Sequence, residues 1–358
     1  MKIQIVILVI LLFLYFVYSH KQKNAKRNFI TWGCLLLGFE AGLRHIAVGP
    51  DTSGYYEAFQ NIKRTTWPEV LSGFISSASD FRDPAYAVIE KAFSTISPSW
   101  QLFLIAISAF YFLALWKLLN RYIRTIDGVL LAFILYLSLF NIFALSGIRQ
   151  CITMGIAFYL IPLINEKKWS IVVPTIIAGS TIHISLLFML FFIPLMMIPD
   201  KPKRIIYFFV IILIPFIAIR SREIIAFITS FMANDYYAGY VDAEQEGNPI
   251  AFVAICSSIS IYEYFNYKKL TICPNTAFLI PSNILMTIFM PLIFLDGTMI
   301  RIGQYFTVYL MVSLPLIFDH LNYRKVVYFV CFAFLAFQIL TSKFEYYFFW
   351  ETIPGFIY

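Results

Sequence analysis

The chain has 358 residues, 60% of them hydrophobic and only 13% charged, with a mean hydropathy of +0.78. Soluble globular chains carry about 45–50% apolar and about 25% charged residues, so this composition excludes a soluble domain, and its spread over the whole length excludes a single signal anchor. The net charge of +7 comes from short basic clusters set between apolar stretches, a pattern that orients membrane helices and argues against nucleic acid as a partner.

A helix needs about 20 apolar residues to cross a bilayer, with a range of about 17–25. The expected spans are 3–19, 29–43, 101–119, 128–145, 149–165, 170–182, 184–199, 205–219, 249–266, 276–295, 302–319 and 326–342. The expectation is therefore an all-α polytopic membrane protein of about 12 transmembrane or half-membrane helices, organised as a single transmembrane domain over 1–358. The first span, Ile3 to Tyr18, has no small-x-small cleavage site behind it and runs into the basic stretch Lys21 to Arg27. It reads as a retained helix.

Six basic clusters set the orientation: Lys21 to Arg27, Arg121 with Arg124, Lys167 with Lys168, Lys201 to Arg204, Lys268 with Lys269, and Arg324 with Lys325. Placing all six in the cytoplasm puts 15 of the 27 Lys and Arg residues into short inner turns and lets the spans alternate without conflict. Between Lys168 and Lys201 lie about 30 apolar residues, about 45 Å as one helix at 1.5 Å per residue. Two shorter helices with a turn at Gly179 to His183 keep Lys201, Lys203 and Arg204 inside and bring His183 to the outer face. The larger outer loops are 44–100 and 220–248, and an aromatic tail covers 343–358. The five cysteines lie in or beside apolar segments with no metal-ligand spacing and read as small packing residues. No metal site and no cofactor is expected.

Isolated charges at the outer ends of helices are the informative residues, because a charge inside the bilayer costs at least about 2.5–3.5 kcal/mol. Arg44 ends the second span, Arg149 begins a later helix after Gly147, and Arg301 enters another after Asp296. Guanidinium groups grip phosphate oxygens bidentately, and a helix N-terminus adds free N–H donors, so the three arginines suit an anionic ligand such as a diphosphate. The plain alternative is that each snorkels to the interface or pairs with Glu40, Asp51 or Asp296. His183 is a candidate general base, or else a structural histidine. Asp51, Asp83 and Asp296 are alternative bases, although Asp83 before Pro84 also reads as a helix start. Tyr55, Tyr236 and Tyr240 in the outer loops are candidates for stacking on sugar rings.

Several motifs in order resemble a known family. They are Gly42-Leu43-Arg44…Gly49-Pro50-Asp51…Tyr55, Arg82-Asp83-Pro84-Ala85-Tyr86, Ile148-Arg149-Gln150, Ile182-His183-Ile184-Ser185 and the late Arg301. Together they are similar to the EpsG-like polysaccharide polymerases, relatives of the Wzy-type O-antigen polymerases. The resemblance implies a fold like the GT-C glycosyltransferases, in a bacterial inner membrane, with the active site facing the periplasm. It implies undecaprenyl-diphosphate-linked oligosaccharides as donor and acceptor, membrane lipid around the site, and a chain-length regulator protein as a partner. The product would be O-antigen of lipopolysaccharide or a related surface polysaccharide, made without metal or nucleotide sugar. On this reading Arg44, Arg149 and Arg301 hold the diphosphate, with His183 or Asp51 as the base. The rivals are an O-antigen ligase and a flippase or transporter for lipid-linked sugars.

Overall fold

A computed structural model of the chain describes residues 2–20, 23–74, 83–220, 223, 250–271, 274–294, 299–342 and 344–353. Among them all regular structure is helical, and extended pairing is confined to an isolated antiparallel bridge between Arg44 and Phe348. Helices lie where apolar spans were expected: α1 (Ile3–Ser19), α2 (Ala25–Gly42), α6 (Trp100–Tyr122), α7 with α8 (Ile126–Leu135 and Asn141–Ser146), α9 (Ile148–Asn165), α10 (Trp169–Ser180), α11 (Phe192–Met197) and α12 (Asp200–Ile219). They continue through α13 (Ile250–Phe265), α14 (Tyr267–Thr271), α15 (Leu279–Phe289), α16 (Ile300–Thr307), α17 (Leu310–Phe318) and α18 (Arg324–Thr341). Among the described residues five stretches are long and apolar enough to cross a membrane: Trp100–Tyr122, Ile126–Ser146, Ile148–Asn165, Ile300–Phe318 and Arg324–Thr341. The protein is a polytopic membrane protein by these helices. The expected break after α10 is present, since the helix ends at Ser180 and a turn at 181–183 leads into a 3-10 segment, Ile184–Phe191.

The described residues form two compact units. The first comprises 1–160, 173–187 and 318–358. Its core is aromatic: Phe29 meets Phe133 edge-on at 5.7 Å, and Gly33 lies so close to that ring that a Cβ has no room. A π-helical turn, Tyr136–Phe140, widens the helix between α7 and α8. Below it the Asn141 amide donates to the Glu40 carboxylate at 2.8 Å. At the opposite end of the same helix Thr125 caps α7, accepting from Gly128 N at 3.1 Å and donating to Asp319. Asp319 also accepts from Tyr328 at 3.0 Å, which ties α18 to this end.

The long segment between α2 and α6 is itself helical: α3 (Thr52–Ile62), α4 (Trp67–Ser72) and α5 (Pro84–Ile96). Phe59 of α3 stacks on Phe103 at 5.0 Å and touches Trp100 at 5.5 Å, pinning the loop to the start of α6. Such aromatic pairs contribute about 0.5–1.5 kcal/mol beyond their buried area. The stretch before α3 is held by Thr52, whose hydroxyl lies 2.6 Å from Val48 O and 3.1 Å from Leu145 O.

The second unit comprises 161–172 and 188–317. Phe289 and Phe306 stack at 5.4 Å, with Phe188 edge-on to Phe289 at 5.2 Å. Its helices are also joined by polar groups, as membrane helices often are. Tyr207 donates to Ser260 O at 3.0 Å, and the Ser260 and Thr287 hydroxyls meet at 2.8 Å.

Gly49 has φ +87° and packs against the Leu145 carbonyl, leaving a side chain neither a relaxed backbone nor space. A non-glycine residue in that region costs on the order of 1–3 kcal/mol. Gly49→Ala is expected to lower the thermal midpoint of the detergent-purified protein relative to wild type, measured by intrinsic fluorescence or light scattering on heating.

Candidate functional site

Three pieces of the first unit converge at the start of α9. Gly147 interrupts the helical path: it ends α8, donating to Phe143 O at 2.9 Å, and its carbonyl then accepts from Cys151 N at 2.8 Å. Arg149 therefore falls in the first turn of α9. Its Nε donates to the Tyr55 hydroxyl at 3.1 Å, and its Nη1 forms an ion pair with Asp83 Oδ2. The guanidinium carbon lies 5.0 Å from the Tyr55 ring centre and 5.7 Å from that of Tyr86, and the two rings meet edge-on at 5.9 Å. The Arg149 side chain is 31% exposed and that of Asp83 only 9%. The guanidinium is thus fixed from behind by two protein groups and two ring faces, with part of its surface open.

Asp83 sits where the sequence places it, one residue before Pro84 at the head of α5. Its carboxylate caps no helix N–H, however, and goes to Arg149 instead. Asp51, at the head of α3, likewise makes no cap and accepts from the Ser146 hydroxyl at 3.3 Å. Both carboxylates thus turn toward the junction of α8 and α9. The next link runs through Ala85, whose N–H donates to Thr181 O at 3.1 Å. That bond fastens the head of α5 to the 181–183 turn carrying His183, which is half-buried. The three residues Asp83 to Ala85 therefore connect the Arg149 guanidinium to the His183 turn.

Arg44 lies deeper, only 2% exposed. Its Nη1 donates to Ala41 O, and it shares a small cavity with Ile148 and Cys151 of α9. The C-terminal tail covers Arg44 by strand-like pairing. His45 N donates to Tyr347 O at 2.9 Å, Phe349 N donates to Leu43 O at 3.0 Å, and the buried Tyr346 donates to Glu40 O at 2.7 Å. Arg301 belongs to the second unit, at the first turn of α16 and half-buried. Tyr236, Tyr240 and Asp296 lie outside the described residues.

Sequence reasoning missed Glu90. It is 4% exposed, one turn beyond Tyr86 on the inner face of α5. Burial pushes its carboxyl up to about 8, against the opposing pull of the Tyr86 hydroxyl and the Arg149 charge. The signal available was the i, i+4 placement of Tyr86 and Glu90 on an amphipathic helix. Between the usual 4.5 and about 8 the unfolded chain releases this proton while the folded chain keeps it. Stability from this group is full below about 4.5 and falls as pH rises through that window. Glu90→Gln is expected to flatten the fall, so that the thermal midpoints at pH 5 and pH 8 lie closer together than in wild type.

No curated protein and no solved structure matches the chain. The family model described as the EpsG family matches residues 27–351, which contain most of α2, all of α3 through α18, Arg44, Arg149, His183 and Arg301. A match over this much of the chain, together with the motifs at 42–55, 82–86, 148–150 and 182–185, means that the protein belongs to the EpsG family.

Proposed function

We propose that the protein is a polysaccharide polymerase that transfers a glycan from undecaprenyl diphosphate to a lipid-linked oligosaccharide repeat unit. The site lies at the outer face of a bacterial inner membrane. Family membership supports the polymerase class. The observation that carries the site assignment is the partly exposed Arg149 guanidinium, held by Asp83 and Tyr55 on a segment that also binds the His183 turn.

The hydroxyl oxygen of the acceptor sugar attacks the anomeric carbon of the donor glycan. The bond from that carbon to the diphosphate oxygen breaks, and undecaprenyl diphosphate leaves with the electron pair. His183 takes the proton of the attacking hydroxyl and later returns it to solvent. Charge grows on the diphosphate as the bond breaks, and a prearranged guanidinium at that point lowers the barrier most. Arg149 is the first ligand for that charge, with Arg44, which shares a cavity with Ile148 and Cys151 of the same helix, adding to the field. Arg301 belongs to the second unit and is given no part in this site. Asp83 is a positioning residue: it fixes the plane of the guanidinium, and its own charge moderates the hold on the product. Tyr55 offers a ring face beside that charge for a sugar. Asp51 is the alternative base.

Loss of the gene should leave one repeat unit on each lipid core, seen as collapse of the surface-glycan ladder on a gel. Loss of all surface glycan would instead indicate a ligase or flippase and overturn this reading. Arg149→Lys keeps the charge but loses the planar fork. At unchanged membrane abundance it is expected to slow ladder growth by about 10²-fold, the usual effect of removing one transition-state donor.

A further inference from the structure

A groove of about 480 Å³ runs along the first unit between α2 and α6. Small residues at Thr31, Gly38 and Ala109 open it, and exposed apolar side chains wall it, with Phe39 at 58% and Leu113 at 59% exposure. Its lining is almost wholly apolar except at one end. There Arg27 lies over the Trp116 ring at 5.7 Å, and the indole N–H of Trp116 donates to the Thr31 hydroxyl at 3.0 Å. The ring is therefore oriented by a hydrogen bond, and it in turn orients the guanidinium. Neighbouring Lys26 is engaged differently: it donates to the Asn120 and Ile123 carbonyls at 3.0 and 2.9 Å, closing the end of α6. None of the ion pairs formed by the described residues involves Arg27.

We propose that this groove binds an anionic phospholipid, with its phosphate on Arg27 and an acyl chain along Gly38 toward Leu113. Charge selects the occupant: one cation at the mouth of an apolar trough matches one anionic headgroup on a hydrocarbon chain. Depth agrees with this. Arg27 to Phe39 spans about 18 Å at 1.5 Å per residue, close to the roughly 15 Å of one leaflet, half of a core about 30 Å thick. Tryptophan and arginine at the shallow end suit the headgroup layer. The basic run of Lys23, Lys26 and Arg27 draws anionic lipids to the same level. The site is separate from Arg149 and His183 and does not depend on the reaction proposed above.

The test uses the full chain purified in mild detergent, with phosphatidylglycerol or phosphatidylcholine added. Phosphatidylglycerol should be retained in native mass spectra and raise the thermal midpoint, whereas phosphatidylcholine should do neither. Arg27→Gln should weaken phosphatidylglycerol retention about 5- to 10-fold, and Arg27→Lys should largely keep it. Gly38→Leu should weaken it too by filling the trough. A Cβ at Gly38 starts in ordinary contact with Phe112 at 3.5 Å, so the helix itself has room for the change. Equal retention of the two lipids, or unchanged retention in Arg27→Gln, overturns the proposal. So does full displacement of phosphatidylglycerol by an equal amount of polyprenyl phosphate, which would make the groove a carrier-lipid site.

Discussion

The ion pair between Arg149 and Asp83 holds the site together. Arg149 belongs to a long apolar helix, and Asp83 to the segment just before α5. Their pairing brings a 57-residue loop, 44–100, into register with the start of α9. Other contacts then follow from it: Tyr55 reaches Nε, Tyr86 slides under the guanidinium, and Ala85 is delivered to Thr181. Breaking a partly buried pair strands the remaining charge, at a cost well above the pair's net contribution. The loop is therefore not a loose cover. Its described residues form a small helical layer, with apolar contacts among Ile62, Val70 and Ala87, fastened to the core by this ion pair and by Phe59 against Phe103 and Trp100.

The charge arrangement around this pair is economical. Asp83 compensates Arg149, and the buried Glu90 stays neutral near pH 7. Glu90, beside Tyr86, thus adds no full negative charge of its own to this permanent cation's surroundings. An anion that displaces part of the Asp83 contact finds the guanidinium already oriented, so little ordering is left to be done on binding.

Much of the fold was legible in the sequence, because hydrophobic length alone fixes where membrane helices lie. Lys167, Lys168 and Lys201 to Arg204 even foretold the break near His183, where the chain does turn at 181–183. The segment 44–100 was harder, since nothing in a run such as Asp83-Pro84-Ala85-Tyr86 says which distant group its carboxylate meets. Local capping preference favoured a cap for Asp83; the Arg149 guanidinium 66 positions away won it instead. Glu90 escaped notice because a glutamate in a surface helix usually faces water, and only three-dimensional packing turns it inward. Arg44 was recognised as a singular charge, but its enclosure by the tail involves backbone groups that carry no sequence signature.

That enclosure has a consequence for biogenesis. Tyr346 and the Glu40 carbonyl it contacts are separated by 306 positions. A ribosome releases Arg44 long before the aromatic tail that shields it exists. Until then the guanidinium must face the translocon, headgroups or a chaperone. Closure of Arg44 is thus among the last events in maturation, and a chain cut short before position 344 would carry the five long apolar stretches of the described residues yet leave this charge unsheltered.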